Sequence, residues 1–458
     1  MEGIELLRLK NDKTMQQELW MSWLPQEMLR LSEELSFVDK ILSDERFFEP
    51  FRERFNTRTG RPTVPVEVYV RLMYLKARYG LGYETLVKEV SDSISWRVFC
   101  KISLSEKVPD ATTLIKLTKK YGDIVEELNR LLLEKAKEEK VIRSRKVRVD
   151  TTVVEANIHY PTDASLIADG IRKVTKEMQE AQELGVSKGE KVVDRTRSVK
   201  KRLARIGNIV RGRAKQKMQE IDEVTKELIG LGKAVLKRAR VILQECLVEP
   251  AGKAISRGLN GSLCLLERVI AQAEEVVSGN RQIEDRVVSL HDPGARPIKK
   301  GSVRNPVQFG RKLGLCESAE GFITAYEVYD GNPSDQRVLI DIVQKHIQSF
   351  GGVPVAISAD KGMGSRQNEL LLSELGIKRV CLPSRGRKSQ ERRLYERTSW
   401  FRRLKKWRSG IEARISTLKR KYGLRRSFFD GNKGTKVWAG LGIFAHNIDR
   451  FALLALKG

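Results

Sequence analysis

The hydrophobic period of this chain changes twice, and that change restricts the folds open to it. "KVRVDTTVVEA" (146–156) alternates β-branched and polar residues, the mark of a strand. From about Ala164 to Val288 the spacing is helical for more than a hundred residues. After the Pro/Gly-rich return "HDPGARPIKKG", strand and helix signals alternate. "GFITAYEVYDGNPSD" reads as a strand and turn, "DQRVLIDIVQKHIQSFGG" as a helix stopping at Gly351, and "VPVAISADKG" as a buried strand. "NELLLSELG" and "IKRVCLP" add a helix and a further strand. This order predicts an α/β sheet with a long helical insertion, at about 162–298, after its first strand. The first strand should then pair with strands beyond residue 305, which the insertion separates from it only in sequence.

The first ~140 residues read as all-helical. "VPVEVYVRLMYLKARYG" (64–80) places its apolar residues at helical spacing and stops at Gly80. "YETLVKEVSDS" and "SWRVFCKI" follow as short amphipathic pieces, and Asp110 is placed to cap a longer helix. Short helices, tight turns and abundant cations suit a helix-turn-helix-like DNA-binding domain over 1–140. A packed helical domain with solvated charges reads equally well from the same residues.

Charge narrows the partner. Against 59 acids stand 86 lysines and arginines, a net +27, and a polyanion offsets self-repulsion of that size. "RTRSVKKRLARIGNIVRGRAKQK" (195–217) holds ten basic residues and no acid, which favours phosphate contact through residues such as Lys200, Lys201 and Arg202. Nucleic acid is therefore expected before membrane. The most apolar stretch, "VWAGLGIFAHNIDRFALLAL", is interrupted by His446, Asn447, Asp449 and Arg450 and reads as a buried helix. Five cysteines without Cys-x-x-Cys spacing argue against a disulfide framework or zinc site and fit a reducing cytoplasm.

Three carboxylates stand out. Asp150 lies within the first strand, and Asp360 follows "VPVAIS" at a strand's C-terminal edge, where open α/β sheets place their chemistry. Glu412 is the single acid in "RRLKKWRSGIEARISTLKRKYGLRR" (402–426), among eleven cations. Brought together, three carboxylates can hold Mg²⁺, since that ion takes a few oxygen ligands together with substrate phosphates. A pair of such ions about 3.5–4 Å apart serves phosphodiester displacement, and Mn²⁺ can substitute. Each acid also has a bland reading: Asp150 as a strand surface residue, Asp360 as a turn opener, and Glu412 as the fourth residue of a Ser409-x-x-Glu412 capping box. On a helical wheel Arg408, Glu412 and Lys419 share an arc of about 40°. Leu404, Ile411, Ile415 and Leu418 form the apolar stripe beside it, with Lys406, Arg414 and Lys421 pointing away. Glu412 can serve as cap, as ligand, or as both.

Arg408-x3-Glu412-x6-Lys419 matches the Arg, Glu and Lys of the Tyr-x2-Arg-x3-Glu-x6-Lys signature of bacterial insertion-sequence transposases of the DDE class. "VDTTVVEANIHYPTDASLIADGIRKV", "LHDPGARPIKKG", "GRKLGLCESAEGFITAYEVYDGNPSDQ" and "ISADKG" also resemble, in order, the segments around that group's two aspartates. "GRPTVPVEVYVRLMYLKARYGLGYETLVKEVSDSISWRVFC" resembles the helical domain before its catalytic core. The resemblance covers nearly the whole chain and is weakest over the helical insertion. It implies an RNase H-like mixed sheet over 141–458 and a DDE triad of Asp150, Asp360 and Glu412 serving as catalytic residues and Mg²⁺ ligands. Arg408 and Lys419 would contact phosphate. Lys405 stands at the signature's Tyr position, and Ser365 where an aromatic often follows the second aspartate. The implied activity is Mg²⁺-dependent cleavage at terminal inverted repeats followed by strand transfer, by a homo-oligomer such as a dimer on double-stranded DNA in the cytoplasm, at the nucleoid. Two other readings are an RNase H-like nuclease without strand transfer and a non-catalytic DNA-binding protein derived from a transposase.

Overall fold

The computed structural model describes residues 5–6, 24–54, 61–187, 192–212, 216–249, 252–299 and 307–456. The chain divides into two compact units, Met1–Glu155 with Lys312–Gly458, and Ala156–Arg311.

The first unit begins with eight helices: α1 (Gln26–Leu29), α2 (Glu33–Leu42), α3 (Glu49–Arg52), α4 (Val66–Tyr79), α5 (Tyr83–Asp92), α6 (Ile94–Phe99), α7 (Ala111–Tyr121) and α8 (Ile124–Glu138). Their ends follow local chemistry. The Asp110 carboxylate accepts the amide of Thr113 at 2.9 Å, and α4 stops at Gly80, whose φ of 65° is left-handed. The single long helix expected after Asp110 is instead two, α7 and α8. It breaks at Gly122, where a Cβ would stand 2.6 Å from Val437 Cγ1 and leave no room for a side chain.

Besides a small parallel pair, Glu5–Leu6 with Arg61–Pro62, the described strands are β1 (Lys146–Ala156), β2 (Arg296–Lys299), β3 (Val307–Ser318), β4 (Ile323–Tyr329), β5 (Ala356–Ala359), β6 (Arg379–Cys381) and β7 (Arg426–Ser427). The seven form one mixed sheet in the order β2-β3-β1-β5-β6. β4 pairs with the later part of β3 and β7 with β1. β1 and β5 run parallel, with Val149 beside Ala359, and β5 and β6 are parallel too, whereas β4 is antiparallel to β3. The first strand therefore pairs with strands that follow residue 305, as its β-branched pattern and the helical interruption implied. All four residues of β5 are buried, as expected of a parallel strand covered on both faces. Val147, Val149, Ile357 and Ala359 join Val338, Leu339 and Ile342 in one apolar cluster; the last three lie on α13 (Asp335–Phe350). This is the RNase H-like α/β arrangement, preceded by a region that is helical except for the short pair Glu5–Leu6 and Arg61–Pro62.

α14 (Arg366–Glu374), α15 (Gln390–Arg397), α16 (Ser399–Arg408), α17 (Gly410–Lys421) and α18 (Gly431–Ala455) complete the unit. The polar residues that interrupt α18 are its anchors. Asn447 is fully buried and bonds both the amide and the carbonyl of Ile323 at 2.9 Å. Asp449 accepts the hydroxyls of Tyr74 and Tyr422 at 2.6 Å and an ion pair from Arg78 at 2.5 Å. α18 packs in this way against α4 and α8, and no helix among the described residues is long and apolar enough to cross a membrane.

The second unit is a bundle of α9 (Asp163–Glu183), α10 (Thr196–Arg211), α11 (Lys217–Val248) and α12 (Lys253–Val277), followed by β2 and the start of β3. Ile167, Leu228, Leu266 and Ile270 are central to its core, and α10 lies along α11.

Candidate active site

Asp150 follows the fully buried Val149 on the central strand β1, and its Oδ1 accepts the amide of Thr151 at 2.7 Å. Asp360 is the first residue after β5, at the C-terminal edge of that strand, next to β1. Glu412 lies in the first turn of α17. One guanidinium reaches all three: Arg408 stands 3.4 Å from Asp150 Oδ2, 3.5 Å from Asp360 Oδ1 and 3.2 Å from Glu412 Oε1. The acids form a gradient towards solvent, with side chains 17%, 47% and 68% exposed. Residues 262 positions apart thus share one counter-charge, because β1 and β5 are adjacent and Arg408 ends α16 just before α17 begins.

A second set of charges holds α17 in place. Glu317 on β3 is fully buried and accepts from Arg148 Nε at 2.8 Å and from Arg414 Nε at 2.9 Å. Arg148 precedes Asp150 by two residues on β1, and Arg414 follows Glu412 by two on α17. Arg148 also donates to the Trp407 carbonyl at 2.6 Å and lies over the Trp407 ring, with its guanidinium carbon 4.7 Å from the centroid. Gly410 is required here, since a Cβ would overlap Arg148 Nη1. Arg414 Nη1 then meets His446 Nε2 at 3.1 Å, leaving His446 Nδ1 to donate to Asn447 Oδ1 at 3.3 Å. Burial, with Arg414 close by, drives the His446 pKa down to about 3, so the ring is neutral and an acceptor can face the guanidinium.

Two expectations are corrected. Ser409 is not the cap of a capping box: its backbone is helical (φ −55°, ψ −25°), and its hydroxyl turns back to the Lys406 carbonyl at 2.8 Å. Glu412 is thereby left to Arg408. Arg414 does not point away from the apolar stripe, because the buried Glu317 carboxylate draws it inward. Leu404, Ile411 and Leu418 are buried as the wheel placed them. Lys405 is exposed, and Ser365 caps α14 by accepting the Asn368 amide at 3.0 Å.

Sequence reasoning missed Glu317, Lys312 and Asp335. Lys312 donates to Asp335 Oδ1 at 3.0 Å and to the Pro333 carbonyl at 2.6 Å, and the Thr151 hydroxyl reaches Asp335 Oδ1 at 3.3 Å. A Cβ on Gly362 would be 3.4 Å from Asp360 Oδ2 and 3.5 Å from Asp335 Oδ2, so a fourth carboxylate borders the site. The local signal for Glu317 was slight, an acid directly after the apolar run "LGLC", and it gives no hint of the partners.

For Mg²⁺, the donor chemistry is suitable: hard carboxylate oxygens already gathered on one cation. Among the described residues, however, no three Asp, Glu, His or Cys side chains are drawn together as closely as a formed metal cage requires. Lys419 is half-buried on α17. On α10, in the other unit, Lys200 and Lys201 are exposed, whereas Arg202 pairs with Glu227 at 2.9 Å and donates to Ser198 Oγ at 2.6 Å. Arg213 and Lys215 of the basic run lie outside the described residues.

Two family models match the chain in order: Transposase domain (DUF772) over residues 24–120, and Transposase DDE domain over residues 286–448. The second spans Asp360, Arg408, Glu412 and Lys419 and begins beyond Asp150. No curated protein and no solved structure matches the chain. With a helical transposase domain leading into an RNase H-like transposase DDE domain, the chain belongs to the insertion-sequence transposases of the DDE class.

Proposed function

We propose that this transposase binds double-stranded DNA at the terminal inverted repeats of its element, cuts there with a divalent metal, Mg²⁺ first, and joins the exposed 3′-hydroxyls to target DNA. The observation that carries the proposal is the convergence of Asp150, Asp360 and Glu412, from two adjacent strands and a late helix, on Arg408. Three carboxylates crowded together repel one another, and Arg408 offsets that repulsion and keeps them convergent. When bound, the metal pair supplies activation of the attacking oxygen and stabilisation of the leaving one. The residues of the chain do the remainder. Asp150, Asp360 and Glu412 hold the ions. Arg408 and Lys419 steady the scissile phosphate, and the Arg148–Glu317–Arg414 clamp fixes the distance between the strand of Asp150 and the helix of Glu412.

The helical region over 1–140 and the exposed lysines of α10 give the DNA contacts, and two copies, one per element end, suit the paired cuts. The decisive experiment incubates the protein with DNA flanking its own gene, with Mg²⁺ or with a chelator, and maps products to the nucleotide. Metal-dependent nicks at the repeat ends followed by joined products are expected. Nicks without joining would reduce the protein to a nuclease, and neither product would remove the catalytic reading.

A further inference from the structure

The charges around the candidate site do not end with the triad. Lys312 on β3 is only 8% exposed, and the acid it meets is Asp335, the first residue of α13, with Nζ 3.0 Å from Oδ1. A buried ammonium without an anion is costly, so the pair holds that carboxylate in place. Nζ also donates to the Pro333 carbonyl at 2.6 Å, which ties the turn before α13 to the same strand. The Thr151 hydroxyl reaches the same Oδ1 from β1 at 3.3 Å. Three elements, β1, β3 and α13, therefore meet on one oxygen atom.

An acid at a helix start suits the helix dipole by itself, so position alone would give Asp335 no role at the site. Its partner Thr151 gives it one. The Thr151 amide donates to Asp150 Oδ1 at 2.7 Å, while Asp150 Oδ2 faces Arg408 at 3.4 Å. Thr151 is thus held on one side by Asp335 and on the other holds the first acid of the triad, with its amide aimed at one oxygen and the second left towards the site. The other oxygen of Asp335 lies near the site as well. The point where a Gly362 Cβ would stand is 3.5 Å from Asp335 Oδ2, 3.4 Å from Asp360 Oδ2 and 2.8 Å from Arg385 Nη2. Groups that orient ligating side chains from behind typically govern metal affinity by about 10–100-fold.

Resting on the transposase reading above, we infer that Asp335 is a positioning residue of the metal site: anchored by Lys312, it holds Thr151 so that Asp150 keeps one oxygen turned towards the ions.

The full chain, mixed with duplex DNA flanking its own gene, is titrated with Mn²⁺, and the free ion is read by its electron paramagnetic resonance signal. Ions held by the wild type and lost in Asp360→Asn define the site. Asp335→Asn should weaken those ions about 10–100-fold. Thr151→Val, which removes only the hydroxyl, should act in the same direction by a smaller factor, and Thr151→Ser, which keeps a hydroxyl, should bind as the wild type does. In nicking assays the half-saturating Mg²⁺ should rise by the same factors, while the rate at saturating metal returns close to the wild-type value. Unchanged Mn²⁺ affinity in both Asp335→Asn and Thr151→Val, whatever the melting temperature does, would overturn the inference. The Lys312–Asp335 pair would then be a strut alone, and the transposase reading would stand. If Asp335→Asn does not fold, Thr151→Val set against Thr151→Ser decides, and equal affinity in those two overturns the inference. If the wild type holds no Mn²⁺ beyond that of Asp360→Asn, the metal role of the triad falls, and the positioning role with it.

Discussion

Cations are placed differently in the two units of this protein. Around the sheet, arginines are consumed internally: Arg148 and Arg414 by the fully buried Glu317, and Arg408 by Asp150, Asp360 and Glu412. On α10 of the helical unit, Lys200 and Lys201 are exposed, and among the described residues only Arg202 and Arg205 turn to an acid, Glu227. Both regions look alike in composition. The difference is whether an acid from a distant element arrives at the charge. Where it does, the cation fixes geometry; where it does not, the cation stays exposed, and the proposed DNA contact would fall to it.

The sharpest way to break that contrast is at the acids. Asp150→Asn, Asp360→Asn and Glu412→Gln should each lower metal-dependent nicking on the order of 10⁴-fold, while melting temperature and DNA affinity change little. Because groups acting as a unit are non-additive, a double variant should be scarcely worse than a single one. Nicking kinetics beside a DNA-binding titration would check this. Near-normal nicking by Glu412→Gln would remove Glu412 from the site.

Next comes the clamp. Glu317→Leu leaves Arg148 and Arg414 buried without their shared anion, which should cost about 3–5 kcal/mol by denaturant unfolding. Gly410→Ala should act in the same direction by displacing Arg148. An exposed ion pair on α10, such as Arg205 with Glu227, should yield about 0.2–1 kcal/mol in the same assay. Equal losses from the two regions would show that the charges differ in place but not in purpose.

The clamp also marks how far the sequence could be read. β1, β5 and the helices were legible because their spacing is local, and so were the placements of Asp150 and Asp360 within and just after apolar runs. Glu412 beside the apolar stripe was legible from the wheel. Glu317 and Asp335 were not, because their significance lies in partners 97 and 184 residues away. The capping-box motif misled for a related reason. Ser409 keeps helical dihedrals between α16 and α17, and its hydroxyl turns back to Lys406, so no cap forms. The need for a glycine at position 122 was hidden too, since the neighbour that crowds it, Val437, comes from α18.

A smaller effect concerns protons. His446 is neutral in the fold with a pKa near 3, against 6.5 for an unhindered ring. The unfolded chain therefore takes up a proton that the folded one refuses, so stability is full above about pH 6.5 and is lost as pH falls towards 3. His346, lowered to about 4 by burial, adds to the same trend. The loss attributable to His446 should be on the order of 2 kcal/mol between pH 6.5 and about pH 5. His446→Gln, which keeps an acceptor for Arg414, should flatten the dependence of melting temperature on pH in that window.

The smallest expected effect tests the exposed half of the contrast. Lys200→Gln and Lys201→Gln together should leave melting temperature within the range of ordinary surface changes, about 0.5 kcal/mol, since neither side chain is buried. Their effect should appear in the salt dependence of DNA binding. Each phosphate contact removed lowers the slope of log affinity against log salt by about 0.9, so the double variant should flatten it by about 2 and weaken all DNA sequences alike. Arg202→Gln should behave differently, because its guanidinium is already held by Glu227 and Ser198. It should change the slope by less than either lysine and cost a little stability instead. If all three variants shift the slope equally, the Arg202–Glu227 pair opens on DNA, and the line between internally paired and free cations blurs on α10. If none shifts it, those lysines only solvate the helix, and DNA contact must be sought on other surfaces of the chain.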